Sequence, residues 1–222
     1  MINLVLLGAP GSGKGTQAAM LAKALNIPAI STGDALRREV EAQSEIGKLA
    51  KSFMNSGQLV PDQVVLDIVK GRVVQDDCKI GFILDGFPRN LNQAITLEES
   101  LASIDKIISL VLDFQVEDEV VIKRISGRFF CKKCGAIYNH HFKQTQKSGI
   151  CDECGSTEFD SRSDDKEETV RNRLSVYHEA TAGLIEFYTK NNLIYSLDAL
   201  KNSTLLFEEI FAVVKNINKT KL

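Results

Sequence analysis

A glycine-rich segment near the N-terminus carries the clearest chemistry. It reads GAPGSGKGT from Gly8 to Thr16, after an apolar run over residues 2–7 and before a predicted helix over residues 17–25. A G-x4-G-K spacing between a strand and a helix is typical of a phosphate-binding loop. The glycines let backbone N–H groups converge on phosphates, and the helix N-terminus adds partial positive charge. Lys14 could then reach the outer phosphates of a nucleoside triphosphate; a glycine-rich turn without a ligand is the alternative.

Two further positions predict a magnesium site beside this loop. Gly15 stands where Ser or Thr usually follows the lysine, so we assign the metal-facing hydroxyl to Thr16. Residues 81–84 read as a buried strand that ends in Asp85. Open parallel sheets bind ligands at that edge, where a carboxylate can hold Mg²⁺ beside phosphates. The alternative is that Asp85 caps a turn before Gly86.

A group of arginines indicates more than one phosphorylated substrate. The group exceeds what one triphosphate needs, although each arginine alone could be a solvated surface residue. If a predicted helix over residues 116–126 continues, Arg124 and Arg128 share one of its faces. Because a triphosphate hydrolyses in water, such an enzyme also needs mobile lids. The arginines of the group are Arg37, Arg89, Arg128, Arg162 and Arg173.

Two C-x2-C pairs, separated by 16 residues, predict a structural zinc site. Four thiolates complete a tetrahedral shell, so His140 and His141 are spare. The surrounding segment has too few apolar residues to fold without the metal. The alternatives are unligated cysteines or two disulfides. The predicted ligands are Cys131, Cys134, Cys151 and Cys154.

Composition restricts the class of protein. The 222 residues are 44% hydrophobic and 25% charged with net charge -2, which suits one α/β domain with insertions. There is no overall basic field to attract nucleic acid or an anionic membrane. No apolar run approaches the roughly 18–20 residues of a membrane span. The first apolar run lacks a basic lead and favours a strand over a signal peptide, so we expect a cytoplasmic protein with reduced cysteines.

Apolar runs alternate with helical patterns along the chain. This alternation predicts an α/β fold with a five-stranded parallel sheet covered on both faces. Two segments, residues 31–60 and 127–164, leave this pattern. Asp164 and Glu167 form a capping-box pattern before a long amphipathic helix. The predicted strands cover residues 2–7, 27–31, 81–85, 106–114 and 193–198.

Several motifs together resemble the adenylate kinase family in its long-lid bacterial type. They are GAPGSGKGTQ, STGDALR, DGFPRN followed by Gln93, Gly127-Arg128, and DD-EETVRNRL, and they extend over essentially the whole chain. The resemblance implies a P-loop three-layer fold with a helical AMP-binding region and a zinc-ribbon-like lid. The implied core comprises residues 1–30, 61–126 and 165–222, the AMP-binding region residues 31–60, and the lid residues 127–164.

The resemblance also implies roles for individual residues. The implied ATP-binding residues are Gly11, Ser12, Gly13, Lys14, Gly15, Thr16, Arg128, Ile137, Tyr138 and Lys201. The implied AMP-binding residues are Thr32, Arg37, Gln58, Leu59, Val60, Gly86, Phe87, Pro88, Arg89, Gln93, Arg162 and Arg173. The implied catalytic residues are Lys14, Asp85, Arg89, Arg128, Arg162 and Arg173. Around Lys201 the sequence reads Asp-Ala-Leu-Lys, a departure from the family's usual Asp-Gly pattern.

The implied activity is reversible, Mg²⁺-dependent transfer of the ATP γ-phosphoryl group to AMP, giving two ADP. Its implied role is adenine nucleotide homeostasis, and we expect a monomer. One alternative is another nucleoside monophosphate kinase, acting on UMP or CMP or using GTP as donor. A second is a nucleic-acid-binding ATPase that reads its target through the zinc ribbon. The ribbon segment mixes lysines with Asp152, Glu153 and Glu158, so it lacks the basic face that such binding needs.

Overall fold

The computed structural model describes residues 1–220, with side chains for residues 1–217. The strands are β1 (Ile2–Gly8), β2 (Ala29–Ser31), β3 (Gly81–Asp85), β4 (Leu110–Gln115), β5 (Arg128–Cys131), β6 (Ile137–Asn139), β7 (Phe159–Asp160) and β8 (Ile194–Asp198). The helices are α1 (Lys14–Leu25), α2 (Thr32–Glu41), α3 (Glu45–Ser56), α4 (Asp62–Val73), α5 (Leu91–Ala102), α6 (Asp118–Ser126), α7 (Glu167–Lys190) and α8 (Ser203–Thr220).

A parallel sheet forms the centre of the fold. Within residues 1–220 it has five strands in the order β2-β3-β1-β4-β8, which confirms the predicted α/β class. Alternate residues of each strand face opposite sides, so β1 contributes Val5 to one apolar core and Leu6 to the other. Helices α4, α5 and α7 cover the first face, and α1 and α8 cover the second. The fold therefore has three layers.

The sequence positions the helices near the site through their termini. Gly13 has φ 101°, a left-handed conformation that glycine adopts readily, and α1 begins at the next residue. Ser31 and Asn90 cap α2 and α5, because their side-chain oxygens accept backbone N–H groups of the first turn. Gly57, also left-handed, ends α3. These turns lie at the carboxyl edge of the sheet or in the segment beside it.

A small antiparallel sheet forms within residues 127–164. In the described chain its strand order is β6-β5-β7. Tyr138 of β6 is buried in a cluster with Cys131 and Cys151, and Phe129 and Phe159 pack against this cluster. This apolar cluster is small, as the sequence predicts.

Two local predictions are wrong. Helix α6 ends at Ser126, and Arg128 lies on β5, so Arg124 and Arg128 do not share a helix face. The capping box before α7 does not form, because Lys166 is the N-cap and makes no side-chain cap. Asp164 instead accepts a hydrogen bond from Arg173. Among the helices of the described residues, none combines the length and apolar character that crossing a membrane requires.

Candidate active site

A large cavity opens at the carboxyl edge of the parallel sheet. Its volume is about 1110 Å³, slightly above the roughly 300–1,000 Å³ of a typical small-molecule site. Residues from the glycine-rich loop, α2, α3, α5, α7 and the small sheet line it. Of the nucleotide-binding and catalytic residues named from the sequence, all but Phe87 contribute to this lining. The side chain of Phe87 is instead fully buried in a core between sheet and helices.

The glycine-rich loop holds Lys14 close to its own backbone. The ammonium of Lys14 donates to the carbonyl oxygens of Gly8 and Ala9, each at 2.7 Å, and to Ser12 Oγ at 3.2 Å. Burial lowers the pKa of Lys14 to about 8, and the carboxyl group of Asp85 partly opposes this shift. The hydrogen-bond acceptors of this ammonium are neutral, and phosphate oxygens would supply a compensating negative charge.

Asp85 ends β3 beside the same loop. Its Oδ2 lies 3.5 Å from the point that a Cβ on Gly15 would occupy, and Thr16 lines the same cavity. Burial raises the pKa of Asp85, whereas the positive charges of Lys14 and Arg89 oppose the shift. Mg²⁺ prefers carboxylate and hydroxyl oxygens, so the donor set fits this ion.

Arginines converge between the two ends of the cavity. Arg89 Nε donates to the carbonyl oxygen of Gly86 at 2.7 Å. Burial lowers the pKa of Arg89 to about 10, and repulsion from Arg173 adds to this effect. Burial and the nearby Arg128 likewise lower the pKa of Arg162 to about 10. Concentrated, poorly hydrated positive charge of this kind favours the binding of anions.

Several of these arginines bind carboxylates in the described structure. Arg128 Nε donates to Asp165 Oδ2 at 2.8 Å. Arg173 donates to Asp164 Oδ2 at 2.7 Å, and both aspartates are buried. These two acids were not assigned to the site from the sequence. The sequence feature that could have identified them is an adjacent acidic pair between two predicted substrate-binding arginines.

A third acid forms ion pairs with arginines from two segments. Asp34 Oδ1 pairs with Arg37 at 2.5 Å and with Arg162 at 3.6 Å. Burial acts to raise the pKa of Asp34, but the hydrogen bond from Arg37 and the positive charges of Arg37 and Arg162 together lower it. The carboxylates thus occupy arginine donors that phosphate groups could take over.

The cysteines cluster as the sequence predicts. All four Sγ atoms lie within 4.8 Å of one another, with Cys131–Cys154 at 3.6 Å and Cys134–Cys151 at 3.5 Å. A tetrahedral Zn²⁺ with bonds of about 2.3 Å requires sulfur atoms about 3.8 Å apart. The geometry therefore fits a four-thiolate metal site.

Comparison with known proteins gives the family. A family profile described as adenylate kinase matches residues 6–193. The chain belongs to the adenylate kinase family. Membership implies ATP and AMP as substrates and Mg²⁺ with ATP, and the cysteine cluster fits the long-lid type that binds zinc.

Named adenylate kinases resemble this chain over most of its length. The enzyme of Caldicellulosiruptor saccharolyticus is 52% identical over 193 residues, which are 87% of this chain and 89% of the relative. That of Methanosarcina barkeri is 49% identical, with 96% and 99% covered. That of Archaeoglobus fulgidus is 47% identical, with 97% and 99% covered.

The residues assigned to ATP differ in how they line the cavity. Ile137 is exposed, whereas Tyr138 is buried and its hydroxyl accepts the Asp152 N–H at 2.8 Å. Lys201 donates to Glu209 at 2.7 Å, an acid that sequence reasoning did not associate with it. Arg124, which is not among the binding residues predicted from the sequence, donates to the Ala199 carbonyl oxygen at 3.1 Å and lines the same cavity.

Proposed function

We propose that this protein catalyses reversible, Mg²⁺-dependent transfer of the ATP γ-phosphoryl group to AMP, giving two ADP. The observation that carries the proposal is one continuous cavity that joins a triphosphate loop to a second group of phosphate-binding arginines. One triphosphate does not need both sets of positive charge. Membership of the adenylate kinase family gives independent support.

Each part of the cavity has a role in this proposal. Residues Gly11 to Thr16 hold the donor phosphates, and Lys14 neutralises their outer oxygens. Arg37 and Arg89 orient the AMP phosphate. Bound near Asp85 and Thr16, Mg²⁺ would neutralise charge on the donor phosphates.

Three arginines act on the migrating group. Arg128, Arg162 and Arg173 stabilise the charge that develops during transfer, because they line the cavity from which closure would exclude water. Phosphate groups displace the Asp164 and Asp165 carboxylates from Arg173 and Arg128. The adenine rings would lie at opposite ends of the cavity, with ATP near Ile137, Tyr138 and Lys201.

Two segments would close over the substrates. Residues 31–60 contribute the AMP side, including Thr32 and the backbone of residues 58–60, and residues 127–164 form the lid. The remaining ranges, 1–30, 61–126 and 165–222, form the core that positions the phosphate loop. Closure excludes water, which would otherwise compete with AMP for the phosphoryl group.

Zinc in the lid would be structural. Four thiolates leave no open coordination position for substrate or water. Because thiolate ligands must stay reduced, we propose a cytoplasmic location. We also propose a monomer without nucleic-acid or membrane partners, since one chain supplies both groups of phosphate-binding residues and its net charge is only -2.

A nucleotide panel tests the proposed reaction. With ATP as donor, we expect kcat/KM for AMP to exceed that for UMP, CMP and GMP by at least about 100-fold, because a site that hydrogen-bonds its substrate rejects poor matches strongly. ADP formation in a coupled assay measures this, and exchanging ATP for GTP tests the donor. Preference for UMP, CMP or a GTP donor would indicate that the protein is a related nucleoside monophosphate kinase. No turnover with any pair would refute the proposal.

A further inference from the structure

Gln93 is a buried polar side chain in the wall of the acceptor end of the cavity. It is only 1% exposed, and it lies on the first turn of α5. Its Oε1 accepts the backbone N–H of Arg89 at 2.7 Å. Its Nε2 donates to Asp62 Oδ1 at 2.6 Å. Both ends of the carboxamide are thus bound to the protein.

These two partners fix which way the carboxamide of Gln93 faces. A backbone N–H can only donate, so the atom beside Arg89 must be the oxygen. An ionised carboxylate can only accept, so the atom beside Asp62 must be the nitrogen. Turning the amide over would place N–H against N–H and oxygen against carboxylate. The orientation therefore follows from hydrogen-bond chemistry.

Asp62 is itself held in a network of amides. It is the first residue of α4, and its carboxylate accepts Asn90 Nδ2 at 3.0 Å and Asn92 Nδ2 at 3.2 Å. Asn90 also accepts the backbone N–H of Gln93 at 2.8 Å. The carboxylate joins α4 to the start of α5, so it presents a fixed acceptor to Gln93. Hydrogen bonds to a charged acceptor are roughly twice as strong as neutral ones.

The hydrogen-bond acceptor and donor that remain on Gln93 lie on definite sides of its carboxamide. A carboxamide has two N–H donors and two oxygen lone pairs, and the contacts with Asp62 and Arg89 use one of each. An acceptor remains on the Arg89 side and a donor on the Asp62 side. Adenine offers an amino N–H next to a ring nitrogen acceptor, whereas hypoxanthine and guanine offer an oxygen next to a ring N–H. The two kinds of base require opposite orders.

We propose that Asp62 is a positioning residue that selects the acceptor base through Gln93. By fixing the order of donor and acceptor on Gln93, it favours a 6-aminopurine monophosphate over a 6-oxopurine monophosphate. Asp62 reaches the base only through Gln93 and takes no part in phosphoryl transfer. This inference rests on the proposed function and identifies Asp62 as a residue that determines which acceptor nucleotide is used.

The test compares AMP with IMP, which differ only in the edge at positions 1 and 6 of the purine. In Asp62→Ala, we expect the ratio of kcat/KM for AMP to that for IMP to fall at least about tenfold, because only the backbone N–H of Arg89 then opposes the turned-over carboxamide that accepts the reversed edge. In Asp62→Asn, an acceptor without charge remains, so we expect a smaller fall of at least about threefold. KM for ATP should stay within about twofold in both variants, since the donor site is unaffected.

A matched control removes a different partner of the same carboxylate. Asn92→Ala deletes an exposed donor to Asp62 and leaves the Gln93 contact intact, so the AMP:IMP ratio should not change. A merely structural role for Asp62 would lower both rates equally, and that result would overturn the inference. If Asp62→Ala does not fold, Asp62→Asn decides alone, and an unchanged ratio refutes the inference. Failure of the wild-type protein to phosphorylate AMP would refute the proposed function instead.

Discussion

Replacing Arg89 with alanine is expected to lower kcat/KM for ATP and AMP by about 10²–10³-fold, as removal of a preorganised charge-stabilising group commonly does. The guanidinium lies within the cavity, where burial and Arg173 lower its pKa to about 10, so it is protonated at neutral pH. In water-poor surroundings each positive charge stabilises phosphate strongly. Steady-state kinetics with both substrates varied measures the loss.

A second arginine provides the control for Arg89. Arg38 is exposed on α2 and does not line the large cavity. Arg38→Ala should therefore leave kcat/KM within about twofold of wild type, since it removes no transition-state contact. Should Arg89→Ala retain activity within the same limit, Arg89 has no role in the site. A thermal unfolding curve for each variant excludes a folding defect as the cause.

Loss of the metal is expected to have the second large effect. A chelator, or the substitution Cys151→Ser, should lower stability by at least about 2 kcal/mol, or about 4–8 °C in melting temperature. The physical reason is that the small sheet has only a small apolar cluster, in which Phe129 and Phe159 pack around Tyr138 and the cysteines. Calorimetry, together with the zinc content of the purified protein, measures the effect.

The rate below the melting transition separates a structural metal from a catalytic one. We expect turnover at low temperature to change less than stability does, because the four thiolates leave the ion no substrate position. Lys133→Ala, between Cys131 and Cys134, is the control, since its side chain is exposed and is not a ligand. Immediate loss of turnover with an intact fold would contradict a structural role.

Local patterns predicted the sheet because each strand carries its own apolar signal. The largest difference lies at the start of β4, which begins at Leu110 although the apolar run suggested a start at Lys106. The ammonium of Lys106 instead donates to the carbonyl oxygens of Val73 and Cys78, distant in sequence. Such tertiary contacts leave no periodic trace in the sequence, so boundaries of this kind are poorly predicted.

The candidate site was also predicted only in part, because local patterns reveal its motifs but not its long-range contacts. The four cysteines were predicted from spacing alone, because a zinc site imposes that spacing. The pair between Arg162 and Asp34 joins residues far apart in the chain, and no local rule relates them. The same holds for Gln93 and Asp62, which meet only because α4 and α5 pack together. Motifs predicted which residues line the cavity, but only the fold reveals which acids hold them.

On the proposed function, one cavity binds two nucleotides at once, with their phosphates facing each other. Titration calorimetry with two adenosines joined through five phosphates tests this claim. We predict one such molecule per chain, bound at least about 100-fold more tightly than ATP, as expected for a mimic of both substrates together. Binding no tighter than that of ATP, with room for only a single nucleotide, would contradict the claim.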